Sequence, residues 1–231
     1  MTTLTPLRLF SSMATREVLA VLADQYRRAS GQAVTAEAAG GVDVARRVAG
    51  GEAFDVVVLG AGVIDRLIAE GHARGPRIDL VRSGVAVAVR AGAARPDVSS
   101  EAAVRAAVER AASISYSTGP SGIYLEKLFA RWGILETLRP RIIVPPPGVP
   151  VGTLVADGRV ELGFQQLSEL MTLPGIEVLG PLPPEIQLFT VFSGAIADVT
   201  DRAEGARALL MYLARPEHAA LKQRYGLESP D

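Results

Sequence analysis

Val44-Ala-Arg-Arg-Val-Ala-Gly-Gly-Glu-Ala-Phe-Asp-Val-Val-Val-Leu59 is the stretch that decides the fold. Val44 and Val48 stand four apart, one helical turn, with Arg46 and Arg47 on the opposite face. Gly50-Gly51 stops that helix. Phe54–Leu59 is then an almost unbroken apolar run, the mark of a strand buried on both faces in a parallel sheet. Upstream, Leu7–Ser11 reads as a first strand. Ala14–Ala29 reads as a helix with Val18, Leu19, Leu22 and Tyr26 on one face, and Ala33–Ala38 as a second strand. Downstream, Val63–Glu70 reads as a short helix. The order βαβαβα predicts a parallel sheet with right-handed crossovers, whose ligands collect at the carboxyl ends of the strands.

The rhythm changes at Ile78–Arg90, where valines alternate with alanines in one or two strands. A second series follows: helix Ser99–Ala112, strand Ser113–Ser117, helix Ser121–Trp132, strand Arg141–Val144, helix Val151–Ala156, strand Glu161–Gln165 and a short helix from Gln166. Late strands at Ile176–Leu179 and Ile186–Ile196 precede closing helices at Asp201–Leu213 and Pro216–Tyr225. Two such series predict two α/β lobes with a cleft between them. The lobes are expected at residues 1–82 plus 189–231 and at residues 83–188.

Composition narrows the function. The chain has 231 residues, a formal charge of −1 and no cysteine. Near-neutrality argues against a broad grip on nucleic acid or anionic lipid. The lack of cysteine removes disulfides, thiolate metal sites and a Cys nucleophile. His72 and His218 are too distant in sequence for a helical ligand pair. No metal and no cofactor is expected. Lys127 and Lys222 are the only lysines among 24 basic residues, so an anion site must use Arg, hydroxyls or backbone N–H groups. The first residues lack a basic segment and an apolar leader core, and no apolar stretch is long enough to span a bilayer. The expectation is a cytoplasmic protein without membrane insertion. If an export signal has been removed, a periplasmic location with an ABC permease partner is expected instead.

Four strand-to-helix turns carry candidate chemistry. Phe10-Ser11-Ser12-Met13-Ala14-Thr15-Arg16 joins hydroxyls to a helix N-terminus, with Arg16 as a fork for a carboxylate. Gly40-Gly41-Val42-Asp43 opens the second helix, where Asp43 can also be a simple cap. Ser117-Thr118-Gly119-Pro120-Ser121 is the most polar turn, a nest of N–H groups and hydroxyls. It has no GKS/T element of a phosphate loop. Pro145–Thr153 is a proline-rich loop, and Phe164-Gln165-Gln166 ends a strand on paired amides. Gly60-Ala-Gly62-Val-Ile-Asp65 lacks the third glycine of a dinucleotide fingerprint and reads as a tight turn.

These segments in this order resemble the type II periplasmic solute-binding proteins, most closely their molybdate-binding branch. The resemblance is carried by Leu7–Leu19, Val44–Val58, Val85–Arg90, Leu125–Ile134, Gly158–Gly163 and Arg215–Gly226, over nearly the whole chain. It implies a two-lobed α/β fold of mainly parallel sheets flanked by helices, joined by two crossing strands. It implies a small anion held by Ser11, Ser12, Gly41, Val42, Thr118, Ser121, Val149 and Gln165, to which Arg16 and Ser117 are added from the residues themselves. The molybdate binders present a hydroxyl at the first and second helix starts, where this chain has Ala14 and Gly41-Val42. That departure shifts the expected ligand toward an organic carboxylate. The first expectation is therefore a binding protein that closes on such an anion. The alternative is an isomerase moving a double bond by allylic proton transfer on a small polycarboxylate, since aconitate isomerase is similar to this same branch. The base would then be Glu17, Asp43, Tyr116 or Tyr124.

Overall fold

The computed structural model describes residues 5–146 and 148–230. Met1–Leu4, which begin the segment read above for a leader, and Pro147 of the proline-rich loop lie outside the described residues. In chain order, β1 (Leu7–Ser12) runs through a 3-10 turn (Met13–Thr15) into α1 (Arg16–Ser30). Then come β2 (Val34–Ala39), α2 (Gly41–Ala49), β3 (Val56–Gly60), α3 (Ala61–Ala69) and the long β4 (Ala73–Arg90). Next are α4 (Glu101–Arg110), β5 (Ile114–Tyr116), α5 (Pro120–Arg131), α6 (Leu135–Leu138), α7 (Val151–Ala156), β6 (Leu162–Gln166), α8 (Leu167–Leu170) and β7 (Ile176–Pro181). The chain closes with β8 (Phe189–Ala197), α9 (Ala203–Leu213) and α10 (Ala219–Arg224). It divides into two compact units, residues 1–82 with 191–231 and residues 83–190. The passages between them fall within β4 and β8.

In the first unit β1 lies between β2 and β3, parallel to both. Ser12 stands beside Ala39, and Ser11 beside Val58. The carboxyl ends of all three strands therefore finish together, and so do the helix starts that follow them. β8 runs antiparallel to β3, so the sheet is mixed where a parallel one was expected. Alternation along the strands sends Leu7, Leu9, Val56 and Val58 to one face, against α1 and α9. Phe10, Val57 and Leu59 go to the other, against α2 and α3. A strand covered on both faces must be apolar at every position, which is what Val56–Leu59 provides.

An ion pair on the buried carboxylate of Asp55 fixes the opposite end of this sheet. Asp55 accepts from the Arg8 N–H at 2.7 Å, from Thr200 Oγ1 and from the Arg202 guanidinium. Removing one partner of such a pair would strand a buried charge.

In the second unit β5 and β6 are parallel, while β4 runs antiparallel to β6 and β7. Val85, Val87 and Val89 face α4 and α5. Ala86 and Ala88 face the α8 side, with Leu170. The strand expected at Arg141–Val144 is reduced to one parallel bridge, Ile142 beside Ile114. Pro140 and the prolines from Pro145 onward lack the N–H that a ladder needs, and a 3-10 turn (Arg139–Arg141) takes the place of the strand's start.

Candidate functional site

Each unit gathers polar groups where parallel strands end and helices begin. In the first unit, Ser11 and Ser12 are buried at the end of β1. Ser11 Oγ donates to the Glu37 carbonyl at 3.5 Å, so its hydroxyl serves β2. Ser12 is 8% exposed, and its Oγ has no hydrogen-bond partner among the described residues. A buried hydroxyl left unpaired costs about 1–3 kcal/mol, a cost that a ligand oxygen would relieve. Thr15 Oγ1 turns inward to the Ser12 carbonyl.

Gly40 caps α2 and Gly60 caps α3, neither with a side-chain acceptor. The first-turn N–H groups of these helices thus point outward without an intrahelical partner. Gly40 has an ordinary φ of −58°, and a Cβ there would meet nothing within 4 Å. Neither backbone shape nor packing within the chain demands glycine at that point. Val42, in the first turn of α2, is 73% exposed, an unusual degree for an aliphatic side chain.

The charged residues of this unit do other work. The Arg16 guanidinium is engaged by Glu17 at 2.5 Å on the surface, so the carboxylate fork expected from Arg16 already holds a carboxylate of its own chain. Asp43 is not the cap of α2. It is the third residue of the helix and pairs with Arg46 one turn on.

In the second unit, α5 begins at Pro120, with Gly119 as its cap. Ser117 Oγ and the buried Ser121 Oγ share a hydrogen bond of 3.1 Å. Pro120 has no N–H, and the Gly122 N–H turns back to the Gly119 carbonyl. The Ser121 N–H is left beside the two hydroxyls, with exposed Thr118 at the rim. A Cβ on Gly122 would lie 1.6 Å from the Ser117 carbonyl oxygen, so this turn requires glycine there. Val149 was expected among the residues that hold the anion. That N–H instead closes a turn onto the Pro146 carbonyl at 3.1 Å.

Both tyrosines expected as bases are committed elsewhere. Tyr116 donates its hydroxyl to Glu126 at 3.0 Å and packs edge-on to Phe129. Burial, with Glu126 adding to it, pushes its phenol well above the usual range. Tyr124 donates to the Ile186 carbonyl at 2.8 Å, and burial raises it too. A phenol that holds its proton more tightly is less often ionised, so less of it is available to accept a proton.

The register of β5 on β6 sets Tyr116 beside Phe164. The next residue of β6, Gln165, stays in the sheet, paired with Ala86 of β4. Gln165 is 3% exposed. Its amide donates to Glu169 Oε2 at 2.5 Å, and its own Oε1 is buried without a hydrogen-bond partner among the described residues. Gln166 uses its amide on Thr190. Glu169, half-buried in α8, was not among the residues singled out from the sequence. The signal was present: an acid two residues into a short helix, directly after a buried strand ending in Gln165-Gln166.

Among the described residues no group of three or more acidic or histidine side chains is arranged to hold a metal ion. No described helix is long and apolar enough to cross a membrane. His218 packs against the Tyr212 ring, with ring centroids 4.7 Å apart.

A family model for bacterial extracellular solute-binding proteins matches residues 7–228. The chain belongs to that family. A curated relative, the aconitate isomerase of a Pseudomonas species, is 39% identical over 97% of this chain and 88% of its own length. Among solved structures, the periplasmic molybdate-binding protein of Azotobacter vinelandii superposes with a TM-score of 0.80 at 20% identity. That match covers 97% of this chain and all of the other. L-phospholactate-bound PEB3, a protein of Campylobacter jejuni, gives 0.75 at 11% identity over 96% and 99% of the two chains. Such distant likenesses carry the fold alone, the type II periplasmic-binding-protein fold. Members of this solute-binding family that share the architecture can still differ in chemistry, so function must be argued from the residues.

Proposed function

We propose that this chain is an isomerase that moves the double bond of a small polycarboxylate by allylic proton transfer, with aconitate the first substrate to test. The relationship to the aconitate isomerase, 39% over nearly the whole chain, carries the reading. The residues support it in three ways. In the first unit, Ser12 and the start of α2 supply neutral donors suited to carboxylate oxygens. The second helix start offers exposed Val42 where an oxyanion site would want a hydroxyl, which favours a ligand with a carbon skeleton. The Ser117–Ser121 turn offers hydroxyls and an N–H to an oxygen on which charge develops.

The reaction conserves atoms and oxidation state. A base removes a proton from the methylene carbon, and the C–H electron pair spreads over the allylic system and the adjoining carboxylate. A proton then returns at the far allylic carbon, and the double bond has moved. Donors at the carboxylate lower the barrier by holding the charge of the intermediate more strongly than that of the substrate.

Proton NMR of cis- and trans-aconitate in D₂O with the purified protein tests this. Interconversion with deuterium uptake at the allylic carbons is expected. No interconversion, together with a rise in melting temperature on adding molybdate, would overturn the reading. The family's solute-binding character favours one second reading, binding of the same carboxylate without turnover. A melting shift with aconitate and no exchange would establish that instead. Ligand at a hundred times its Kd, bound only to the folded chain, adds about 2.7 kcal/mol, enough to read clearly.

A further inference from the structure

We propose that the start of α3 is a second carboxylate site in the first unit, so that this unit holds its ligand by two carboxylates instead of one. This rests on the polycarboxylate reading above and deepens it.

Strand alternation places the pieces. Phe10 packs on the face of the sheet that α2 and α3 cover. Ser12, two residues on and still in β1, therefore points to that same face. It stands beside Ala39 at the end of β2. One step past the Ser11–Val58 pair, it is also level with Leu59 near the end of β3. A Cβ on Gly41 would lie 3.8 Å from the Leu59 side chain, so the start of α2 reaches toward the end of β3. The Ser12 hydroxyl, buried and without a hydrogen-bond partner among the described residues, thus lies at the end of the strand between two helix starts.

The two starts are built alike. Each helix has nine residues and a glycine cap, with φ −58° and ψ 137° at Gly40 and φ −55° and ψ 137° at Gly60. Neither cap gives a side-chain hydrogen bond, so the dipole and the first-turn N–H groups of both helices remain to be answered. The first turn of α2 carries Asp43, which is held by Arg46, whereas the first turn of α3 has no acid. Asp65, further along α3, is held by Arg77. Where α2 has the exposed Val42, α3 has Gly62. Glycine inside a helix is less stable than alanine. Gly62 is exposed, its φ is not positive, and a Cβ there would meet nothing within 4 Å. Packing within the chain does not ask for glycine there. What it provides is an uncovered N–H at the second helical residue.

Spacing decides the ligand. β1 separates β2 from β3, so the two helix starts stand about 10 Å apart, two strand spacings. A hydrogen bond at each end leaves about 4 Å between the bound oxygens. One carboxylate, or one tetrahedral oxyanion, is narrower than that gap. Two carboxylates on a short carbon chain fill it, with the Ser12 hydroxyl between them.

The test uses the full chain and tricarballylate, a saturated tricarboxylate with no double bond to move, so binding is read apart from turnover. By calorimetric titration, wild type should bind it at least about a hundredfold more tightly than crotonate, which has one carboxylate. Gly62→Asp should keep or raise the melting temperature, because an acid suits a helix start. It should nevertheless bind tricarballylate about a hundredfold more weakly. Gly62→Asn, equal in size and uncharged, should fall between the two. Crotonate bound as tightly as tricarballylate, or a folded Gly62→Asp within about twofold of wild type, would overturn the inference. Should Gly62→Asp fail to fold, Gly62→Asn decides, and wild-type affinity in that variant overturns it equally. Aconitate followed by NMR in D₂O keeps the two readings apart. A wild type that interconverts aconitate but fails the Gly62 test leaves the isomerase reading standing without this site. A wild type that passes the Gly62 test but never interconverts aconitate leaves the site standing without the isomerase.

Discussion

Ser12 and Ser121 both stand where a parallel strand hands over to a helix, one in each unit, and they are used differently. Ser12 is buried with its hydroxyl unpaired, in a region whose charged side chains, Arg16, Glu17 and Asp43, are occupied on the surface. Ser121 is buried and already bonded to Ser117. An unpaired buried hydroxyl carries a cost that a ligand oxygen relieves, whereas a paired one has to exchange its partner to bind. The difference teaches that two turns of similar composition can be left ready for a ligand or already satisfied by the chain itself.

The largest effects should come from a contrast between two glycines. Gly122→Ala should cost about 3 kcal/mol in stability, because its Cβ would collide with the Ser117 carbonyl and the helix cannot retreat without losing its first turn. Gly40→Ala should leave the melting temperature close to wild type, since its φ is ordinary and its surroundings are open. It should nevertheless weaken ligand binding if substrate approaches that backbone. Denaturant unfolding read beside thermal shift with trans-aconitate checks both. A Gly40→Ala variant with unchanged affinity would show that the start of α2 has no part in binding.

A smaller effect is expected at Ser12. Ser12→Ala should raise KM about tenfold, the worth of one hydrogen bond to a charged group, with kcat nearly unchanged. The unliganded protein should lose no stability, because the hydroxyl makes no bond there. Steady-state kinetics and a melting curve together decide it.

Smallest is a pH effect away from both regions. Burial, and then the charge of Lys222, hold the His218 imidazole below its ordinary range, against a lesser pull from Glu217. The folded chain therefore resists a proton that the unfolded chain accepts near pH 6.5. As pH falls through that value the unfolded state binds more protons, so stability should decline, then level off below the folded-state value. His218→Gln should flatten this slope in urea unfolding measured across that range. An unchanged slope would assign the acid sensitivity to other groups.

The architecture was readable because burial writes itself into spacing. Val44 and Val48 mark a helix face, and Val56–Leu59 can be apolar throughout only if both faces of the strand are covered. The antiparallel return of β8 was not readable, since direction leaves no trace in a strand's composition. The strand expected at Arg141–Val144 failed because neighbouring prolines withhold N–H groups, a local rule that apolar residues alone do not reveal. For the candidate site, the turns at Ser12 and Ser117–Ser121 stand out in the sequence by their hydroxyls and glycines. The hydrogen-bond partners of the acids and phenols do not, because they come from distant positions. Tyr116 is held by Glu126, ten residues on, and Tyr124 by the Ile186 carbonyl, 62 residues on.

The isomerase reading is tested most directly by proton NMR of trans-aconitate in D₂O with the purified protein. Interconversion with cis-aconitate and deuterium uptake at the allylic carbons is predicted. A protein that binds trans-aconitate, seen as a raised melting temperature, and neither interconverts nor exchanges it would contradict the account.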